Sequence, residues 1–280
     1  MWTLENRGRY DRSRLRYPTD LTNDEWALVE PLVPPAKPGG NRRRVNVREV
    51  VNGMMYILGT GRQWRALPKD LPPRSTVHGY LDSWNHDGTL DNIHHVLYVA
   101  CREQEGREAS PTAAIIDSQS VKSAEKGGPH IDPPGYDAGK KIKGKKRHLL
   151  VDKMGLVLHA IVHAADIQDR DGGMLLLSTL FGKFPFLRKL FADAGYQGPQ
   201  FRTAQLKILP HVDTEIVKRS DQNKHKFVVL AERWLVERTI AWLNRCRRLA
   251  KDWEVLNGNA LAFVRLASIR LMLRRLCNPA

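Results

Sequence analysis

Between residues 230 and 251 the apolar positions recur at helical spacing on two flanks. Leu235, Trp242, Cys246 and Leu249 form one, and Val236, Ile240 and Leu243 the other. A polar stripe runs between them, with Glu237 on the same side as Arg233, Asn244, Arg248 and Lys251. The spacing predicts one continuous helix through Arg248. A carboxylate set in a cationic stripe has two readings. One is a solvated face with i,i+4 ion pairs. The other is an acid that binds metal beside a nucleic-acid backbone, and the upstream chain bears on the choice.

Helical periodicity also governs residues 19–101. Thr22 and Glu25 form a capping box ahead of Trp26, Leu28 and Val29, and Pro34-Pro35 ends that helix. A second helix over 47–58 carries Val50, Met54, Ile57 and Leu58 and stops at Gly59 and Gly61. Ser75-Thr76 is expected to cap a third, with Val77, Leu81 and Trp84, and a fourth runs from near Thr89 to about Glu103. This is the pattern of a small all-helical, helix-turn-helix-like domain, with the 75–84 helix nearest DNA and Arg42, Arg43, Arg44, Arg62, Arg65 and Arg74 in its loops. A plain helical subdomain that supports the rest or mediates dimerisation fits as well. Residues 1–18, with Arg7, Arg9, Arg12, Arg14 and Arg16, read as a flexible basic arm.

The charged, apolar-poor stretch 102–110 marks a boundary, after which the pattern changes to short apolar runs. Residues 113–117 make a strand ending in Asp117. A Gly/Pro-rich loop follows at 127–139, then "KKIKGKKRH" at 140–148, leading into "LLVD". Lys153-Met154-Gly155 turns a hairpin into "LVLHAIVHAAD". A helix over about 171–181, a strand over 190–193 ending in Asp193, a helix over 199–206, a strand over 214–217, a polar link at 220–225 and the long helix complete the series. That order predicts an α/β domain over 111–252, a mixed sheet with helices on both faces. The tail, 253–280, is one more amphipathic helix, packed on the core or on a partner subunit.

Charge narrows the partners. With 45 Lys+Arg against 30 Asp+Glu, the net charge is +15 and the pI ≈ 9.9, which favours nucleic acid over a membrane surface, although ribosome-associated proteins share this balance. No amino-terminal apolar signal and no apolar run of the ~20 residues needed to span a bilayer is present. Cys101, Cys246 and Cys277 are too dispersed for a disulfide framework or a metal-ligand pair and suit a reducing compartment. The expected location is the cytoplasm, in association with cellular DNA.

Against this basic background the acids stand out. Asp117 and Asp193 at strand ends and Glu237 on the helix can supply hard oxygen ligands to Mg²⁺ or Mn²⁺, two ions by expectation, while Lys and Arg hold phosphate. Each acid alone has a plainer reading as a cap, turn or surface residue. Asp152, Asp166 and Asp169 compete as further ligands, Asp166 most directly because it ends the second hairpin strand. His148, His159 and His163 invite zinc, but His159 and His163 stand at i,i+4 in a strand, too far apart for easy shared ligation.

The segments "IIDSQSVK", "GYDAGKKIKGKKRHLLVD", "HAADIQDRDGG", "FADAGYQG" and "RWLVERTIAWLNRCRRLAKDWE" together resemble bacterial insertion-sequence transposases of the insertion sequence 5 type, within the DDE superfamily. "LTNDEWALVEPLVP", "GRQWRALPKDLPP" and "TVHGYLDSW" resemble that family's leading domain. The resemblance implies a ribonuclease-H-like core with Asp117, Asp193 and Glu237 as the catalytic, metal-binding acids. It also implies cut-and-paste chemistry on double-stranded DNA at terminal inverted repeats and a target site, with a homodimer or larger assembly holding two ends. Of the superfamily's Tyr, Arg, Glu, Lys signature, Arg233 and Glu237 match. The Tyr position is Leu230 and the Lys position Asn244, so phosphate gripping passes to Arg245 or Arg248. Lys140, Lys141, Lys143, Lys145, Lys146 and Arg147 are the expected DNA track, with Arg42, Arg43 and Arg44 reading sequence. A metal-dependent nuclease that never joins strands and a catalytically silent DNA-binding repressor are the alternatives.

Overall fold

The computed structural model describes residues 7–8, 10–36, 43–124, 130–180, 182–217, 231–254 and 256–278. The polar link at 220–225, Arg9, Arg42 and Leu230 lie outside them. The chain forms two compact units: Met1–Glu105 with Cys246–Leu249 and Ala262–Ala280, and Gly106–Arg245 with Ala250–Leu261.

The first unit is helical, with α1 (Asn23–Val29), α2 (Val47–Thr60), α3 (Arg74–His86) and α4 (Thr89–Gln104). The Thr22–Glu25 capping box closes in both directions. Gly61, at φ 67°, ends α2 in the left-handed conformation that an L side chain resists. Ser75 and Thr76 lie inside α3, whose N-cap is Pro73 without a side-chain cap. The tight turn falls between α3 and α4, where Asp87 Oδ1 accepts from the backbone and hydroxyl of Thr89 at 3.0 and 2.6 Å. The arm is not loose over residues 12–16. Arg12 pairs with the buried Glu25 through two hydrogen bonds of 2.8 Å, and Arg16 reaches Asp20 and Glu49. Those acids sit in an apolar unit, and arginine from the arm neutralises them.

The sheet of the second unit contains β1 (Ala113–Lys122), β2 (Gly135–Asp137), β3 (Ile142–Asp152), β4 (Val157–Ala164), β5 (Lys189–Ala192) and β6 (Asp213–Ile216). Their order is β2-β3-β1-β5-β6, with β4 also on β3. Strands β1, β3 and β4 are antiparallel neighbours, whereas β5 and β6 run parallel to β1. The helices α5 (Asp169–Ser178), α6 (Pro199–Ile208) and α7 (Ala231–Leu243) complete the unit. This is the mixed α/β, ribonuclease-H-like arrangement that the strand order implied.

Three sequence expectations change here. First, β1 continues past Asp117 to Lys122, so this acid lies within a strand. Second, the basic run 140–148, expected as a DNA track, is mostly strand. β3 has neighbours on both edges and is buried from Gly144 to Asp152, so Lys145, Lys146 and Arg147 face protein. Third, α7 ends at Leu243. The last i→i−4 bond is Asn244 N–H to Ile240 O, and Arg245 bonds Trp242 at i→i−3. Arg248 and Lys251 are therefore not on the face of Glu237, and the continuous stripe does not form. The apolar period ran on because Cys246 and Leu249 are buried too, but in the first unit. The final helix, α8 (Asn257–Cys277), supplies that unit from Ala262 onward. Its Ser268 bonds His94 Nε2 at 3.0 Å, and Phe263 meets Trp64.

The hairpin turn anchors α7. Asp152 Oδ1 accepts from the backbone of Met154 and Leu156, both at 2.9 Å, and Gly155 takes φ 78°. Thr239 donates to Gly155 O at 2.7 Å. A Cβ on Gly155 would lie 2.9 Å from Thr239 Oγ1 and 3.1 Å from Arg238 Nη2. Gly155→Ala is therefore expected to destabilise the fold by about 2 kcal/mol, from backbone strain plus the displaced anchor. Urea unfolding measures it, and an unchanged midpoint would remove this account of the turn.

Candidate active site

Strands β1 and β5 pair in register from Ala113↔Lys189 to Ile115↔Phe191. Continuing that register by two residues sets Asp193 level with Asp117, at the point where the parallel strands part. Asp193 caps the turn Ala194–Tyr196, its Oδ1 accepting from Gly195 N–H at 2.8 Å. Asp117 Oδ1 accepts from Ser118 N–H at 2.7 Å. Burial raises the Asp117 carboxyl to about 6. The Ser118 N–H opposes the rise, the neighbouring Asp193 adds to it, and Lys140 and Arg233 pull it back. The two acids are thus neighbours, and burial first, with the Asp193 charge adding to it, disfavours the charged form of Asp117.

Glu237 is placed differently. It lies on an outer face of α7 with its side chain 51% exposed, ion-paired to Arg233 at 3.2 Å. Arg233 also acts on Asp117, so a guanidinium stands in the field of both acids. Among the described residues no three His, Cys, Asp or Glu side chains are grouped closely enough to hold an ion. The structure brings Asp117 and Asp193 together and leaves Glu237 outside that group. The pair nonetheless suits a hard cation: it offers oxygen donors, and one of them is half-buried beside a like charge, a penalty that a cation relieves.

The rival acids separate clearly. Asp152 is consumed by the hairpin turn, and Asp166 is exposed, with its carboxylate and backbone N against Gly135. Asp169, at the start of α5, is the one near the pair. Its Oδ1 takes the Ser118 hydroxyl at 2.8 Å and Lys146 Nζ at 2.9 Å. Burial alone would raise this carboxyl, but those two bonds hold it below the usual value. Behind it, His148 and Tyr196 share a hydrogen bond of 2.9 Å, and His148 stacks on His163 at 4.9 Å. His159 is not part of that pair. Tyr196 and Ser118 were not singled out in the sequence, where only the Gly-flanked "DAGYQG" hinted at a constrained turn, and His148 was noted only as an invitation to zinc.

The basic residues divide by burial. Lys145 Nζ donates to Asp132 O at 2.6 Å and Asn257 Oδ1 at 2.7 Å; Lys146 donates to Ile167 O at 2.7 Å and pairs with Asp169 and Asp137. Arg147 is buried near Asp252 and Glu254, and burial lowers it to about 10. Arg248 is buried in the first unit, donating to Arg62 O at 3.1 Å beneath Phe263. These four cations serve the fold and are withdrawn from a DNA track. Lys140, Lys141, Lys143, Arg44 and Arg245 are exposed, and Arg43 is half-buried against the carbonyls of Pro34 and Pro35. Lys140 Nζ reaches Ser118 O and Oγ at 3.3 Å, beside the acid pair. On α7, Arg238 lies between the rings of Trp234 and Trp242, at 4.5 and 4.7 Å.

No helix among the described residues is long and apolar enough to cross a membrane. No solved structure matches the chain. The transposase DDE domain matches residues 108–272, and the domain described as a putative transposase of the IS4/5 family matches residues 21–94. An uncharacterized 16.2 kDa protein of insertion element IS402 from Burkholderia cepacia is 32% identical over 114 residues, 38% of this chain and 76% of that protein. The putative transposase for insertion sequence element IS402 from the same organism is 30% identical over 151 residues, covering 50% of this chain and 64% of its own length. The uncharacterized protein y4sN of Sinorhizobium fredii is 28% identical over 103 residues, 37% of this chain and 76% of that protein. With the DDE domain spanning more than half of its length, the chain belongs to the IS4/5-type DDE transposases.

Proposed function

We propose that this transposase cuts DNA at the terminal inverted repeats of its element and transfers the freed 3′ ends into target DNA, using divalent cations held by Asp117, Asp193 and Glu237. The observation that carries the reading is the Asp117–Asp193 pair, which faces itself across the point where β1 and β5 diverge. Bound Mg²⁺ or Mn²⁺ would supply the Lewis acidity that phosphodiester chemistry needs. The chain's own groups hold the reactants. Ser118 N–H orients Asp117, the Gly195 N–H orients Asp193, and Lys140 and Arg233 set positive charge beside the pair, where a phosphate docks. Glu237, one helical turn from Arg233, would be the third ligand. The activity is exercised in the bacterial nucleoid, by an assembly of two or more copies that holds two DNA ends.

The exposed cations Arg44, Lys141, Lys143 and Arg245 are the DNA contacts in this reading, with the helical unit carrying sequence recognition. Lys141→Gln and Lys143→Gln are each expected to lower the slope of log affinity against log salt by about 0.9, one phosphate contact apiece. Lys145→Gln is expected to leave that slope alone and to lower the unfolding midpoint. Filter binding across a salt series checks both, and a reduced slope for Lys145→Gln would overturn the division by burial.

Labelled terminal-repeat DNA, taken from the sequence flanking the gene, tests the activity itself. Mg²⁺-dependent nicking at the repeat end and joining of pre-cleaved ends to plasmid are expected. Cutting without joining would convert the reading to a nuclease, and binding without cutting to a repressor.

A further inference from the structure

We propose that Tyr196, through its hydroxyl bonded to His148, is a positioning residue that fixes the Asp117–Asp193 pair and thereby its affinity for a divalent cation. This rests on reading the two acids as cation ligands.

The hydroxyl joins the two halves of the pair. Ser118 and His148 are cross-strand partners on β1 and β3, and the Tyr196 hydroxyl shares a hydrogen bond of 2.9 Å with His148 Nδ1. Ser118 in turn controls Asp117, because its N–H is bonded to Asp117 Oδ1 and its hydroxyl is bonded to Asp169. Asp169 cannot drift, since Lys146 grips it from within the sheet. On the other side, Tyr196 closes the turn that presents Asp193, with its own N–H donating to Asp193 O at 3.1 Å. A displacement of the Tyr196 hydroxyl therefore moves both acids relative to each other.

The surroundings leave the phenol no other position. Tyr196 is 1% exposed. Its ring meets Phe201 at 5.8 Å and lies so close to Gly173 that a Cβ there would come within 2.6 Å of it. His148 is equally fixed. His163 donates from Nδ1 to Ala164 O at 2.7 Å and stacks on the His148 ring. The Nε2 atoms of both histidines are buried without a hydrogen-bond partner and abut Gly172, where only a glycine leaves room. Two orphaned nitrogens are a recurring cost, offset in this reading by the rigidity that the rings give to Tyr196. A tyrosine that merely satisfied its own hydroxyl would need none of this.

Mn²⁺ alone, titrated into the full chain and followed by the electron paramagnetic resonance of the free ion, tests the role without DNA or turnover. Asp193→Asn is expected to lose binding. Tyr196→Phe keeps the ring and is expected to unfold as one cooperative unit while binding Mn²⁺ about tenfold more weakly, as loss of an outer partner of a metal ligand does. Ser118→Ala is expected to weaken binding by a similar factor and decides the matter if Tyr196→Phe does not fold. Affinity within twofold of the parent in the folded variant, with Asp193→Asn inactive in binding, would overturn the positioning role and leave the metal site standing. Binding unaffected by Asp193→Asn would remove both.

Discussion

Asp117→Asn is expected to abolish DNA cleavage and, in the same protein without divalent cations, to raise stability at pH 8. The two effects have one cause. The carboxyl is raised from 3.8 to about 6, by burial and the neighbouring Asp193 against the Ser118 N–H. A carboxyl whose folded pKa exceeds its unfolded one stabilises the fold in its protonated form. That contribution is complete below about pH 4 and is lost as pH rises through 6. At pH 8 the folded protein thus carries a charge worth about 3 kcal/mol of destabilisation, which an uncharged amide of the same shape removes. Cleavage should fall by roughly a thousandfold or more, the scale for deleting a group that acts directly on transition-state charge. Urea unfolding at pH 8 in a chelator and nicking assays in Mg²⁺ read the two halves. A less stable variant would show that Asp117 is a structural acid.

Acid lability at His148 is the second large effect. Burial, with His163 beside it, lowers this imidazole to about 3. A group with a depressed folded pKa gives stability that is present above its unfolded value of 6.5 and lost as pH falls toward 3. Between pH 7 and pH 4.5 that loss is on the order of 2 to 3 kcal/mol, and His163 is shifted in the same direction. Asp117 gains about 2 kcal/mol over that interval and partly offsets the loss. The terms separate in single variants. Asp117→Asn should lose stability steeply on acidification, and His148→Asn should gain it. Parallel pH profiles for the two variants would contradict the assignment of either group.

The sequence carried the catalytic fold because its signals are periodic. Alternating apolar runs around a Gly turn gave the hairpin, and apolar runs followed by an acid located Asp117 and Asp193. Both acids were legible even though Asp117 lies within a strand, since β1 continues with alternating buried positions, Ser118 and Ser120, that look polar. The polar network behind the pair was not legible. Ser118, His148, Asp169 and Tyr196 come from four separate elements, and their hydrogen bonds leave no repeat in the chain. The basic run misled for a related reason. Six cations in nine residues describe a surface by composition, yet β3 is central, and Lys145, Lys146 and Arg147 find oxygen atoms or acids inside. Glu237 was legible as an exposed acid in cationic company, but its stripe was overextended, because residues 246–249 keep the apolar period while serving another unit.

The central claim is that the acids of β1, β5 and α7 form one cation site. Crystals soaked in Mn²⁺ and measured at the manganese edge address it directly. An anomalous peak is expected between the carboxylates of Asp117 and Asp193, with the Glu237 carboxylate drawn in as a third ligand. Manganese bound elsewhere on the chain, with none between these two carboxylates, would contradict it.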